Sequence, residues 1–109
     1  MFFNPFKNRK HFITPEDRKE LLQTLDAIKA TVEPETELIY SYFESVEKLL
    51  EELDVMIEAV KTGELEVLET LSMHFAPTSG FQELSLQNGW SEEYLKLADR
   101  FDRICEKYK

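Results

Sequence analysis

Residues 46–60 read VEKLLEELDVMIEAV, and apolar side chains return along this stretch every three or four positions. This spacing places them on one side of an α-helix. The apolar stripe extends back to Ile39 and stops at Thr62-Gly63, a pair that suits the end of a helix. Because Pro34 breaks the chain before it, the pattern predicts one long helix over residues 34–62.

A second helix is predicted before it, over residues 15–32. The hydroxyl of Thr14 can cap the free amides of its first turn, and Pro15 suits the first helical position. A third helix is predicted over residues 64–76, where Pro77 stops it.

The last helix is predicted over residues 91–108, with Ser91 as its cap. Trp90 precedes the cap and is placed to pack against Leu95, one turn inside the helix. Residues 77–90 contain two glycines and alternate in polarity in part, so we expect an irregular connection or a helical turn. The sequence therefore predicts an all-α fold, a compact bundle of about four helices.

The chain divides into an arm, residues 1–13, and a single helical domain, residues 14–109. The arm carries Lys7, Arg9 and Lys10 among aromatic residues and has no acid. Its aromatics could pack on the domain, or the arm could anchor a partner or a membrane surface. The pattern leaves both interpretations open.

Length and composition disfavour a multidomain, disulfide-bonded or membrane-spanning protein. A chain of 109 residues is one domain by length, and a single cysteine allows no internal disulfide. No apolar run approaches the roughly 18 residues of a membrane span, and the first residues lack the pattern of a secretion signal. We expect a cytoplasmic protein.

The formal net charge of −9 is concentrated in the middle of the chain. Residues 33–69 hold twelve carboxylates and two lysines, a local balance of −10. Phosphate groups would be repelled by such a surface, so nucleic acid is an unfavourable partner, whereas a basic protein is a favourable one.

The acidic residues of the long helix recur every three or four positions, so they should line one exposed side of it. Lysines do not alternate with them to relieve the repulsion between like charges. The side could be a solvated surface, a docking surface for a basic protein, or a metal site. The candidate protein-binding residues are Tyr40, Glu44, Glu47, Glu51, Asp54 and Glu58.

The metal interpretation rests on Glu44-Ser-Val-Glu47 and Glu51-Glu-Leu-Asp54. These resemble the motifs with which all-helical nucleotide pyrophosphohydrolases hold Mg²⁺. In that family the two motifs lie on different helices and converge, whereas here one helix would carry both, pointing the same way. We therefore predict no metal site and no cofactor.

Other reactive side chains lack the partners that catalysis needs. Cys105 falls on the apolar stripe of the last helix, which favours a buried, inert thiol. His11 and His74 are far apart, and His74 suits a helix end, where a cation meets the helix dipole favourably. No enzyme signature is present, so we predict a non-enzymatic protein.

The segments Phe75-Ala76-Pro77-Thr78, Phe81-Gln82-Glu83-Leu84 and Asn88-Gly89-Trp90, followed by residues 94–102, resemble small uncharacterised bacterial proteins. Several of those are associated with toxin-immunity loci. The resemblance covers residues 60–102 and implies an inhibitor of a toxin domain, without assigning a role to any residue. The alternative is a self-associating structural or regulatory module, in which the long helix leaves apolar surface for a homodimer.

Overall fold

A computed structural model describes residues 12–38, 43–76 and 80–109. Within them the fold is all-α, as predicted, and contains one helix more than expected. Strand-like pairing in these residues is confined to a single bridge between Phe12 and Glu64. The helices are α1 Pro15–Ala30, α2 Val46–Thr62, α3 Glu66–Phe75, α4 Gly80–Asn88 and α5 Ser91–Glu106.

The first helix begins as the sequence predicts. The Thr14 hydroxyl accepts a hydrogen bond from the Asp17 amide at 3.2 Å, which caps the helix. Leu21, Leu25 and Ile28 are buried on its inner side. The helix ends at Ala30, two residues before the predicted boundary, because the amide of Thr31 bonds backward to the Ile28 carbonyl.

The predicted helix over 34–62 is wrong in its first part. The helix begins only at Val46, where the hydroxyl of Ser45 caps the Lys48 amide at 3.1 Å. Residues 34–38 form a turn and extended chain instead, and residues 39–42 lie outside the described residues. Phe43 is buried without being helical, so apolar spacing here reflects burial rather than helix.

The prediction of an irregular 77–90 connection is also wrong, because residues 80–88 are helical. Phe81, Leu84 and Ser85 are buried on one side of α4 at helical spacing, while Leu86 is exposed. Gly89, with φ of +80°, then ends the helix, since this conformation costs glycine little. The alternation of polarity in 81–86 concealed the helical period.

The start of the last helix differs from the prediction in two details. Trp90, not Ser91, occupies the cap position, and no side chain caps the free amides. Trp90 is buried against the ring of Tyr94, 6.2 Å between centroids, whereas Leu95 is 61% exposed. Tyr94 lies on the buried stripe of α5 and Leu95 does not, so the indole packs one residue earlier than expected.

The helices close into a ring in chain order. α1 packs against α2 and α5, and α3 packs against α2, α4 and α5. One apolar core fills the ring, and its aromatic end brings Phe75 against Phe101, 4.4 Å between ring centroids, and against Phe81. Ile13, from the end of the predicted arm, is also buried in this core.

Candidate protein-binding surface

The second helix presents four of its five carboxylates on the side opposite the core. Its inner side buries Leu49, Leu53, Met56 and Val60. The opposite side, called here the acidic face, consists of four exposed residues, Glu47, Glu51, Asp54 and Glu58. The structure therefore brings together four of the six candidate residues on one helix.

One of the other two candidates, Glu44, does not belong to the acidic face. It is exposed but precedes the Ser45 cap, so it is not on the helix. The prediction placed it there because it began the helix twelve residues too early. The remaining candidate, Tyr40, lies outside the described residues.

Lysines do relieve the repulsion along the acidic face, contrary to the sequence expectation. Asp54 accepts a hydrogen bond from Lys29 of α1 at 2.7 Å, and this bond raises the pKa of Lys29. Within α2, Glu51 pairs with Lys48 at 3.3 Å and Glu58 with Lys61 at 3.1 Å. Exposed pairs contribute little stability, and a partner's cations can replace the lysines.

An apolar side chain interrupts the acidic face. Val55 is 68% exposed, and it lies one turn from both Glu51 and Glu58. It also borders a groove of about 270 Å³ between α2 and α3. The groove has an apolar floor and acidic residues at one end: it is lined by Val55, Met56, Ala59, Thr62, Glu64, Glu66, Val67 and Thr70.

The apolar stripe of α2 is used inside the chain. Its four buried residues contact the core, and the helix is 17 residues long rather than the predicted 29-residue span. The part of the apolar stripe that lies on α2 is therefore covered within the chain. Self-association remains a prediction, which light scattering can test.

Cys105 is buried, as the sequence predicts. Burial raises the pKa of its thiol to about 12, and a hydrogen bond with Ser72 opposes this only in part. A thiolate is the reactive form of cysteine, so this environment disfavours a nucleophile.

His74 lies in the last turn of α3, where the sequence placed it, but it is not held there as a cation. Its ring stacks with Phe43, 6.0 Å between centroids, and approaches Phe81 at 5.3 Å. Burial lowers the pKa of His74, against a smaller opposing effect of Glu52. The neutral imidazole is thus an aromatic packing group. His11 lies outside the described residues.

A buried carboxylate that sequence reasoning missed joins the two ends of the domain. Asp17 of α1 is 4% exposed and accepts a hydrogen bond from the Tyr108 hydroxyl at 2.6 Å. Lys107 donates to its other oxygen at 2.9 Å. The Thr14 amide in turn donates to the Tyr108 hydroxyl at 2.9 Å. The first-turn position of Asp17 predicted a helix start, and nothing in the sequence pointed to Tyr108.

The electrostatics of this cluster are those of a structural carboxylate. Burial alone would raise the pKa of Asp17, but hydrogen bonds from Tyr108 and Lys107 outweigh it and lower that pKa. Burial and the bond to Asp17 raise the pKa of Tyr108. An ionised Asp17 and a protonated Tyr108 are therefore both favoured, which leaves no group poised to exchange a proton near neutral pH.

Residues 88–90, part of the segment that resembles immunity-associated proteins, make contacts that stabilise the fold. The Asn88 side chain donates to the Glu37 carbonyl at 2.9 Å and accepts from the Glu37 amide at 2.8 Å. It thereby fixes the chain between α1 and α2 to the end of α4. Gly89 ends that helix, and Trp90 is buried in the core. The three consecutive residues therefore all have structural roles.

Across residues 12–38, 43–76 and 80–109, the His, Cys, Asp and Glu side chains form no group of three or more that could hold a metal ion. In the same residues, no helix has both the length and the apolar character needed to cross a membrane. Comparisons with protein-family models, curated proteins and solved structures found no match to this chain.

Proposed function

We propose that this chain is a non-enzymatic, cytoplasmic binding protein whose acidic face engages a basic protein partner, as an immunity-type inhibitor engages a toxin domain. The observation that carries the proposal is the composition of the exposed side of α2. Four carboxylates are exposed there, and one exposed valine lies at their edge, next to an apolar groove.

Each part of this surface supplies a different component of binding. Long-range attraction between the carboxylates and a basic partner speeds association. Val55 and the groove beside it give an apolar contact that excludes water, which charged rims alone do not provide. The surface therefore suits a partner segment that presents lysine or arginine around an apolar side chain, such as the basic rim of a nuclease active site.

The test is capture of the partner from the source cell, followed by charge reversal at two places. One variant replaces Glu47, Glu51 and Asp54 by Lys. The control makes the same three replacements at exposed positions of α5, Glu92, Glu93 and Glu106. Both variants change the net charge from −9 to −3, so a difference in binding between them cannot come from net charge.

We expect the α2 variant to bind the captured protein about tenfold more weakly or worse, and the α5 variant to bind nearly as the wild type does. Added salt should slow association of the wild type. Equal loss in both variants would mean that net charge, not the acidic face, governs binding. Failure to capture any partner in low salt would also contradict the proposal.

The immunity role makes a separate prediction. A toxin gene should lie immediately upstream of the gene for this chain, and the captured partner should be its product. Binding of the chain should then protect a cell that expresses the toxin. A partner of another kind, still lost on reversal of the acidic face, would retain the binding function and refute the immunity role.

A further inference from the structure

A depression of about 270 Å³ between the start of α1 and the end of α2 is lined by cations. Arg18, Lys19 and Lys61 form its walls with Pro15 and Leu22, and no carboxylate is among these lining residues. The chain has 22 acidic residues against 13 basic ones. Three cations around one depression are therefore unexpected in this composition.

The Arg18 side chain packs against the backbone at the end of α2. Its side chain lies over Gly63, where a Cβ atom would come within 3.0 Å of Nη1. Gly63 has a φ of +75°, so glycine suits this position on both grounds. The Arg18 side chain is half-buried, and its Nε is covered without a hydrogen-bond acceptor among the described residues.

The other described arginines are neutralised by acids. Arg103 pairs with Asp99 at 2.7 Å, and Arg100 lies 3.7 Å from Glu20 and bonds Gln23 at 3.2 Å. For Arg18, no acidic partner is found within the described part of the chain. A guanidinium that packs in a defined position and has no acidic partner in the protein can bind an anion from solution.

We propose that this depression binds a phosphate-type oxyanion. A guanidinium presents paired N–H donors that match two oxygens of a phosphate, and lysines add point charges on either side. A phosphate group carries roughly −1.5 to −2 charges near pH 7. The charge of three cations matches a phosphate better than it matches a carboxylate, which carries a single negative charge. When phosphate binds, Lys61 leaves its exposed partner Glu58, 3.1 Å away, and turns toward the anion.

This site touches the proposed partner surface only through the ion pair between Lys61 and Glu58. It uses α1 and the end of α2, and it attracts the opposite charge. Charge reversal of the acidic face at Glu47, Glu51 and Asp54 leaves all three cations in place, so either proposal can fail alone.

The experiment is a titration of the ¹⁵N-labelled full chain with inorganic phosphate, followed by NMR at constant ionic strength with chloride as the reference anion. The side-chain signals of Arg18 should shift and saturate, together with the backbone amides of Lys19 and Lys61. Signals of Arg100 and Arg103 should not move. Arg18→Gln should weaken binding about tenfold or more, since it removes a charge-assisted contact. Arg103→Gln is the matched control and should bind as the wild type does.

A comparison of two probes identifies the source of the phosphate. A phosphoserine peptide that binds more tightly than inorganic phosphate, with no binding of the unphosphorylated peptide, indicates a phosphorylated protein. Equal affinities indicate a free anion. A shift that never saturates, equal shifts at all arginines, or unchanged binding by a folded Arg18→Gln variant would overturn the site. The dispersion of the amide spectrum shows whether each variant is folded.

Discussion

Asp17 and the acidic face of α2 place the same chemical group in two different settings. Asp17 is 4% exposed, and its carboxylate accepts hydrogen bonds from Lys107 and Tyr108, which are 90 and 91 positions away in the chain. The acidic face exposes four carboxylates, and their lysine partners are themselves exposed. The buried carboxylate therefore serves the fold, whereas the exposed ones are available to a partner.

The difference lies in what each carboxylate loses when its partners are removed. In water, an exposed carboxylate recovers its hydration, so breaking its ion pair costs little. A buried one leaves donors unsatisfied around it, and their desolvation is then uncompensated. A surface can therefore exchange its internal lysines for the cations of a partner, while the Asp17 cluster cannot.

The largest expected effect is on the free energy of unfolding, and it compares two apolar residues, the buried Trp90 and the exposed Leu95. Trp90 is 8% exposed and packs on Tyr94, whereas Leu95 is 61% exposed. Trp90→Ala should lower the free energy of unfolding by roughly 3–5 kcal/mol, as for other buried large aromatics. Leu95→Ala should change it by less than about 0.5 kcal/mol, as surface substitutions usually do. Urea denaturation measures both.

Fluorescence provides an independent check, because Trp90 is the single tryptophan of the chain. Emission of the native protein should be blue-shifted and should move to the red on unfolding. Water-like emission from the native state would mean that Trp90 is exposed, and the binding surface would then have to be sought around α4 rather than on α2.

The next effect compares Asp17 with Asp54. Asp17→Ala removes the acceptor of Tyr108, whose hydroxyl is buried, and should cost roughly 1.5–3 kcal/mol, typical of hydrogen bonds to a charged group. Asp54→Ala removes a partner of comparable geometry, at 2.7 Å from Lys29, but an exposed one. Its denaturation midpoint should therefore shift much less. Similar midpoints for the two variants would remove the distinction between the settings.

Sequence periodicity identified the elements whose stripes are long and uninterrupted. The start of α1 was predictable because Thr14 and Pro15 are local signals, and their effect does not depend on distant residues. The start of α2 was not, because Phe43 continues the helical spacing of apolar residues but is buried outside the helix, and the Ser45 cap was not recognised. Periodicity reports which side is buried, not whether the backbone is continuous.

The candidate site, too, was predictable from the sequence only in part. The exposure of Glu47, Glu51, Asp54 and Glu58 follows from helix geometry alone, so the sequence predicted it. The Lys29–Asp54 pair and the Asp17–Tyr108 bond join residues 25 and 91 positions apart. Such contacts depend on how the helices pack, and a single sequence carries no signal for them. The cationic depression around Arg18 was missed for the same reason.

The pH dependence of stability tests the buried carboxylate alone. Because the pKa of Asp17 is lowered in the folded state, its contribution is complete above the unfolded value near 3.8 and is lost as the pH falls through the folded value. The wild type should therefore lose more stability than Asp17→Asn does as the pH falls below about 4. Equal acid sensitivity of the two proteins would show that Asp17 is not held in its ionised form.

His74 acts in a separate pH range and can be distinguished. Its folded pKa is lowered from 6.5, so its contribution is complete above that value and declines as the pH falls below it. His74→Gln should remove the loss of stability that begins as the pH falls below about 6.5, and it should leave the loss that Asp17 causes at lower pH. Denaturation midpoints across this range measure both contributions.

The smallest expected effect is at the closest ion pair of the acidic face. Lys29 and Asp54 join α1 to α2 at 2.7 Å, yet their side chains are 42% and 57% exposed. Lys29→Met keeps the aliphatic stem and removes the charge, so the denaturation midpoint should change little, and less still in high salt. A double-mutant cycle with Asp54→Ala isolates the coupling between the two side chains. A coupling as large as the effect of Asp17→Ala would mean that Asp54 is fixed by the fold and cannot be given up to a partner. In that case the acidic face would be structural like Asp17, and reversal of Glu47 and Glu51 alone would have to account for any loss of binding.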